Sequence, residues 1–350
     1  MTQDERPYVV GLTPDCRYDD GQTMFGDLGL ERLDAAGIDW HLLPETDGGI
    51  DPSALAGLDA VISFGHLPFD VQLARAWPRL RHIARYGAGF DGIDVEGLAG
   101  EGVVVTTTPA AVRRPLALTA VTLLLACAHR LLENHLSATR GHWQDRGQHR
   151  GLGLPGRTVG IVGFGSVGSL VAEILGRMDL GITVIAADPR ADNPRAEALG
   201  VPVVDLQTLA ATADFVVSTA SLTPQSRGMF DAAFFAAMRP TAWFVNVGRG
   251  GLQVQSALTQ ALVEGRIAGA ALDVLEQEPP DPADPLLTLD NVIVTPHALS
   301  WTDDFTSGVA TSMIEAVITA SRGEVPATTL RSDLVDPLTW RGARATSARS

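Results

Sequence analysis

Three side chains in the second half of the chain stand where apolar runs stop: Arg249 in "NVGRGG", Glu278 in "ALDVLEQEP" and His297 in "VIVTPH". Their chemistries are complementary. A guanidinium fork grips a carboxylate and a neighbouring carbonyl oxygen, and stabilises negative charge developing on that oxygen. An imidazole exchanges a proton with the same oxygen near neutral pH. A carboxylate beside the ring orients it and favours its protonated form. Upstream, "TVGIVGFGSVGSLVAEIL" sets Gly163, Gly165 and Gly168 in G-x-G-x-x-G spacing between a strand-like and a helix-like run, with Phe164, Ser166 and Val167 completing the turn. The first glycine permits a tight turn, the second lets backbone approach a pyrophosphate, and the third lets the helix pack on the strand. The helix N-terminus then attracts the anion. Asp188, followed by Pro189, ends the next strand-like run "ITVIAAD" at about the interval where a carboxylate takes the adenosine ribose hydroxyls. That carboxylate favours NAD over NADP, while Arg190 offers a partner for a 2'-phosphate.

The elements around these groups must bring them together. Short β-branched runs alternate with helix-length segments, the pattern of parallel sheets wrapped by helices, so the fold class is α/β. "YVVGL", "DAVISF", "RHIARY" and "VVVTTT" read as strands of a small doubly wound domain. A second series reads "TVGIVGF", "ITVIAAD", "DFVVSTA", "AWFVNVG", "AGAALDV" and "NVIVTPH". Open sheets of this kind bind ligands beyond the carboxyl ends of their strands, where the groups named above fall. "LALTAVTLLLACA", residues 116–128, reads as a buried helix too short to cross a bilayer. "FTSGVATSMIEAVITASRG" reads as a last helix returning to the first domain, and the end of the chain, 336–350, as a flexible tail.

Composition narrows the classes. A chain of 350 residues holds two cores, and a net charge of -15 with no run of basic residues argues against nucleic acid as a partner. Cys16 and Cys127 form no metal or redox pair, and the N-terminus has the wrong order for a secretory signal, so a cytoplasmic protein off the membrane is expected. His129, His135, His142 and His149 lack acidic or cysteine partners at ligand intervals, and no metal is expected.

Arg249, Glu278 and His297 in this order below the glycine fingerprint resemble the D-isomer-specific 2-hydroxyacid dehydrogenases. "RYGAGFDGIDV", "LTPQSRGMF" and "SALTQAL" add to the resemblance, which runs from Arg85 to His297. It implies an NAD-dependent enzyme interconverting a 2-keto acid and a D-2-hydroxy acid. It also implies two domains with a cleft between them: a discontinuous flavodoxin-like substrate domain over 1–108 and 299–335, and a central Rossmann domain over 109–298, with 336–350 as the tail. A homodimer built on the cofactor domain, using the helix around Leu116 to Leu132, follows from the same source. So do backbone N–H groups of Gly87, Ala88 and Gly89 holding the substrate carboxylate. Thr219, Val247, Gly248, Arg249, Asp273 and His297 join the cofactor contacts, with Asp273 at the nicotinamide carboxamide.

The chain departs from that pattern in places. Ala298, Leu299, Ser300 and Trp301 replace the small residues that follow the family's histidine, and Leu299 or Trp301 is expected to line the substrate pocket or to pack between domains. Leu118 stands where an acidic residue is common, Arg113 and Arg114 form an added basic pair, and Thr219 and Ser221 replace a His-Pro motif. Related proteins of this fold oxidise formate or phosphite, or act as NAD-responsive corepressors, and these remain the alternative functions.

Overall fold

The computed structural model describes residues 6–16, 23–44, 52–65, 67–336 and 339–342. By contacts the chain divides into two compact units, Met1–Val112 with Trp301–Ser350, and Arg113–Ser300.

In the first unit β1 (Tyr8–Leu12), β2 (Ile38–Leu42), β3 (Ala60–Ser63), β4 (His82–Arg85) and β5 (Val104–Thr106) form a parallel sheet in the order β2-β1-β3-β4-β5, the flavodoxin-like order. β3, β4 and β5 are buried along their whole length, as a sheet covered on both faces requires. The edge strand β2 is the one that the search for continuous apolar runs misses. "IDWHL" alternates polar and apolar residues and only Ile38 is buried, so its signal is a half-exposed edge. The helix Asp303–Ser321 belongs to this unit and buries Phe305, Val309, Met313, Ile314 and Val317.

The expected flexible tail needs correction at its start. Trp340 is buried against Val104 and Ala320, and Arg341 donates to the carbonyl oxygens of Ala74, Trp77 and Leu80 at 2.8–3.1 Å. An aromatic ring and a guanidinium with three acceptors fix the backbone there; the tail's final eight residues lie outside the described residues.

In the second unit β6 (Thr158–Val162), β7 (Thr183–Ala187), β8 (Phe215–Ser218), β9 (Trp243–Asn246), β10 (Gly269–Leu272) and β11 (Val292–Val294) form a parallel sheet in the order β11-β10-β9-β8-β6-β7. The chain reverses its direction of strand addition between β6 and β8, the place where such sheets open a ligand crevice. The apolar helix spans Pro109–Ala128 and so is 20 residues, long and apolar enough to cross a membrane by those two measures, which corrects the shorter reading. In the residues that lengthen it, Pro109 to Pro115, two prolines and the Arg113–Arg114 pair interrupt the apolar run. From Ala117 onward it packs with Val159, Ile161, Phe164 and Val171 in the core of this unit. Neither cysteine is in a disulfide, and both are buried.

Candidate active site and dinucleotide cradle

The glycine fingerprint folds as the strand β6, a turn, and the helix Ser166–Arg177. Gly163 sits at φ +86°, and a Cβ there would lie 2.5 Å from the Ala220 backbone. A Cβ on Gly168 would lie 2.2 Å from the Gly163 carbonyl oxygen. Gly165 differs, because a Cβ on it would meet nothing within 4 Å. The two outer glycines are therefore required by packing, whereas the middle one leaves open space over the backbone, as a docked pyrophosphate needs. These residues fit a dinucleotide.

Polar side chains brace the turn. Asp188 accepts from the Phe164 N–H at 2.8 Å through one oxygen and from the Arg190 N–H at 3.1 Å through the other. Its side chain is mostly buried, while that of Arg190 is exposed, with Nε 3.8 Å away. Thr219 Oγ1 donates to the Gly163 carbonyl at 2.7 Å, so the residue that departs from the His-Pro pattern locks the glycine turn. Asn193, which sequence reasoning missed, donates to the Phe164 carbonyl at 3.0 Å and caps the helix Pro194–Leu199. An Asn followed by Pro is an N-cap signal that would have found it. Gly163, Gly165, Asp188, Pro189, Arg190 and Thr219 line a cavity of about 530 Å³, within the ordinary size of a ligand pocket. A larger cleft of about 830 Å³ on the same unit is lined by Glu276, Asp281 and Asp284 and by no basic residue, the wrong charge for an acid substrate.

Arg249, Glu278 and His297 follow β9, β10 and β11, three adjacent strands. Arg249 is half-buried and extends from a turn held by Asn246, which accepts from the Gly248 N–H and donates to the Arg249 carbonyl and to Gln253. Asn246 was also missed; a fully buried polar residue ending a strand is its signal. Val247 is buried and donates its N–H to Ser218, continuing β9 past its end. A Cβ on Gly250 would lie 1.7 Å from the Leu275 carbonyl, so the arginine turn is seated against the loop that carries Glu278.

Glu278 Oε1 accepts from the Leu275 N–H at 2.8 Å and Oε2 lies 2.7 Å from His297 Nδ1. This pair is the polar contact the sequence types anticipate. His297 has φ 53°, one of four non-glycine residues with positive φ among the described residues. Asp273 supports that conformation: its Oδ1 accepts from Thr295 Oγ1 at 2.6 Å and from the Leu299 N–H at 3.2 Å, two residues to either side of the histidine. Burial pushes the Asp273 carboxyl up from its ordinary value, against the pull of these bonds and of His297.

Gly87, Ala88, Gly89 and Trp301 belong to the first unit. Gly87, at φ +98°, donates its N–H to Thr108 Oγ1 at 3.1 Å. Its amide is therefore engaged, which corrects the expectation for that residue and leaves those of Ala88 and Gly89. Trp301 packs edge-on against Phe25, with centroids 4.9 Å apart, and Phe25 packs on Tyr86 at 4.5 Å, immediately before Gly87.

A parallel sheet with a glycine turn at its crossover, and an Arg, Glu and His on neighbouring strand ends, defines a dinucleotide-binding oxidoreductase. Residues 121–298 match the family of D-isomer specific 2-hydroxyacid dehydrogenases, over its NAD binding domain. The chain is 37% identical over 280 residues to a glyoxylate reductase of Korarchaeum cryptofilum, covering 79% of this chain and 84% of that protein. It is 34% identical to a D-3-phosphoglycerate dehydrogenase of Archaeoglobus fulgidus, covering 76% of this chain and 50% of that longer protein. Its fold is similar, with a TM-score of 0.78 and 29% identity over 93% of this chain and 97% of the other, to an NADPH-dependent glyoxylate/hydroxypyruvate reductase of Sinorhizobium meliloti solved with NADP and malonate. The chain belongs to the D-isomer specific 2-hydroxyacid dehydrogenase family and is an NAD(P)-dependent enzyme acting on CH–OH donors.

Proposed function

We propose that this enzyme interconverts a 2-keto acid and the corresponding D-2-hydroxy acid, with Arg249, Glu278 and His297 as its working groups. The His297–Glu278 pair at 2.7 Å carries the reading, set on strand ends beside that of Arg249. When bound, the nicotinamide dinucleotide supplies or accepts the hydride. Arg249 binds the substrate carboxylate and polarises its keto oxygen. His297 gives that oxygen a proton in reduction and removes it in oxidation. Glu278 holds Nδ1, so that Nε2 faces the substrate. The N–H groups of Ala88 and Gly89 serve the carboxylate, and Trp301 lines the site and limits the size of the 2-substituent. Asp273 keeps the turn that presents His297 and meets the carboxamide.

The Gly163–Gly168 turn, Asp188 and Pro189, Thr219, Val247 and Gly248 hold the dinucleotide. NAD is preferred over NADP, because the mostly buried Asp188 carboxylate repels a 2'-phosphate and is already oriented by two N–H groups. The enzyme is proposed to work as a cytoplasmic homodimer, supported by exposed Leu118 and Leu131 along the expected interface helix and by two reduced, buried cysteines.

A panel of glyoxylate, hydroxypyruvate, pyruvate, phenylpyruvate and phosphorylated keto acids, each with NADH and with NADPH, tests this. Reduction of at least one acid to its D-product, faster with NADH, is expected. Oxidation of phosphite with no turnover of any keto acid contradicts it.

A further inference from the structure

We propose that Arg113 is a cofactor-binding residue that clamps the dinucleotide pyrophosphate, an inference that rests on the dinucleotide reading of the glycine turn. Arg113 Nε donates to the Ser166 carbonyl oxygen at 2.9 Å. Ser166 is the first residue of the 12-residue helix that follows the glycine turn, and Arg113 lies in the same compact unit. One bond thus fixes the guanidinium against the first turn of that helix. Its two terminal nitrogens have no hydrogen-bond or ion-pair partner among the described residues.

Electrostatics gives this placement its meaning. A helix N-terminus carries partial positive charge, so a cation held there is unfavourable until an anion joins it. Arg113 satisfies one carbonyl oxygen of the first turn and leaves the rest of its charge for a diphosphate. A planar guanidinium tethered through Nε presents both remaining nitrogens in the fork that suits phosphate oxygens. The pyrophosphate is common to NAD and NADP, so the clamp strengthens both equally and leaves their discrimination to Asp188 and Arg190. The basic pair at 113–114 is thereby separated, with Arg113 serving the cofactor.

The test compares wild type, Arg113→Gln and Arg113→Lys in titrations with NADH, NADPH and ADP-ribose, and in thermal melts without ligand. In the glutamine variant the dissociation constants for all three ligands are expected to rise by the same factor, about tenfold, with partial recovery in the lysine variant. The ligand-free melting temperature of Arg113→Gln is expected at or above that of wild type, since a repulsive charge has been removed. Unchanged dissociation constants overturn the clamp, as does a loss confined to NADPH, or a lowered ligand-free melting temperature with unchanged ADP-ribose binding. Wild type that binds neither NADH nor ADP-ribose removes the dinucleotide reading itself, a result distinct from a clamp that fails while binding persists.

Discussion

The left-handed backbone at His297 costs an L-residue about 1 kcal/mol, so neighbouring bonds must hold it. Asp273 provides them at Thr295 and Leu299. Asp273→Ala is therefore predicted to lower kcat by at least about tenfold, and its effect in a His297→Gln background to be far less than additive; a double-mutant cycle reads this directly. Glu278→Gln replaces the carboxylate on Nδ1 by an amide and is predicted to lower kcat by about 10²-fold with the fold intact by circular dichroism. A third prediction concerns stability. Burial holds the His82 imidazole down at about 3, from an ordinary 6.5, with Nε2 bonded to Thr106 Oγ1. The unfolded chain binds this proton below pH 6.5 while the folded one resists it, so the contribution is complete above 6.5 and declines toward pH 3 by up to about 1.4 kcal/mol per pH unit. Denaturant midpoints between pH 7 and 5 are predicted to fall more steeply for wild type than for His82→Gln. The residue types proposed to react were legible in the sequence because each stands where an apolar run stops. The bracing by Asn193, Thr219 and Asn246 was not, since each bonds a backbone group whose position only the folded turn defines.

Strands buried on both faces leave continuous apolar runs, so ten of the eleven strands among the described residues were legible and the half-exposed β2 was not. The fingerprint helix was legible through its glycines, yet spacing alone does not tell a glycine needed for packing from one needed for a ligand. The structure separates them, and a prediction follows. Gly168→Ala drives a methyl onto the Gly163 carbonyl and lowers the melting temperature, whereas Gly165→Ala leaves it unchanged and weakens NADH binding. Equal melting losses in both variants would contradict this division. The helix Pro109–Ala128 extends past its apolar signal because Pro109, in its first turn, needs no N–H partner, and the polar residues that follow face outward.

Across the molecule, the chain leaves the first unit after Val112 and returns at Trp301, and Trp340 then closes that unit's core. Low periodicity hid this anchor, because one tryptophan and one arginine do the work of a helix. Trp340→Ala is predicted to destabilise the protein by about 3–5 kcal/mol in chemical denaturation, a loss too large for a flexible tail. Leu118 and Leu131, 45% and 60% exposed, belong to the proposed dimer face, and sedimentation of a Leu131→Glu variant is predicted to shift toward monomer. His297 is proposed to transfer the proton that accompanies reduction of a 2-keto acid. The most direct test is kcat for the best keto acid of the panel in wild type and His297→Gln, with NADH binding measured on both. A loss of at least about 10²-fold in the variant while NADH still binds is predicted; a variant that turns over within about threefold of wild type would contradict this role for His297.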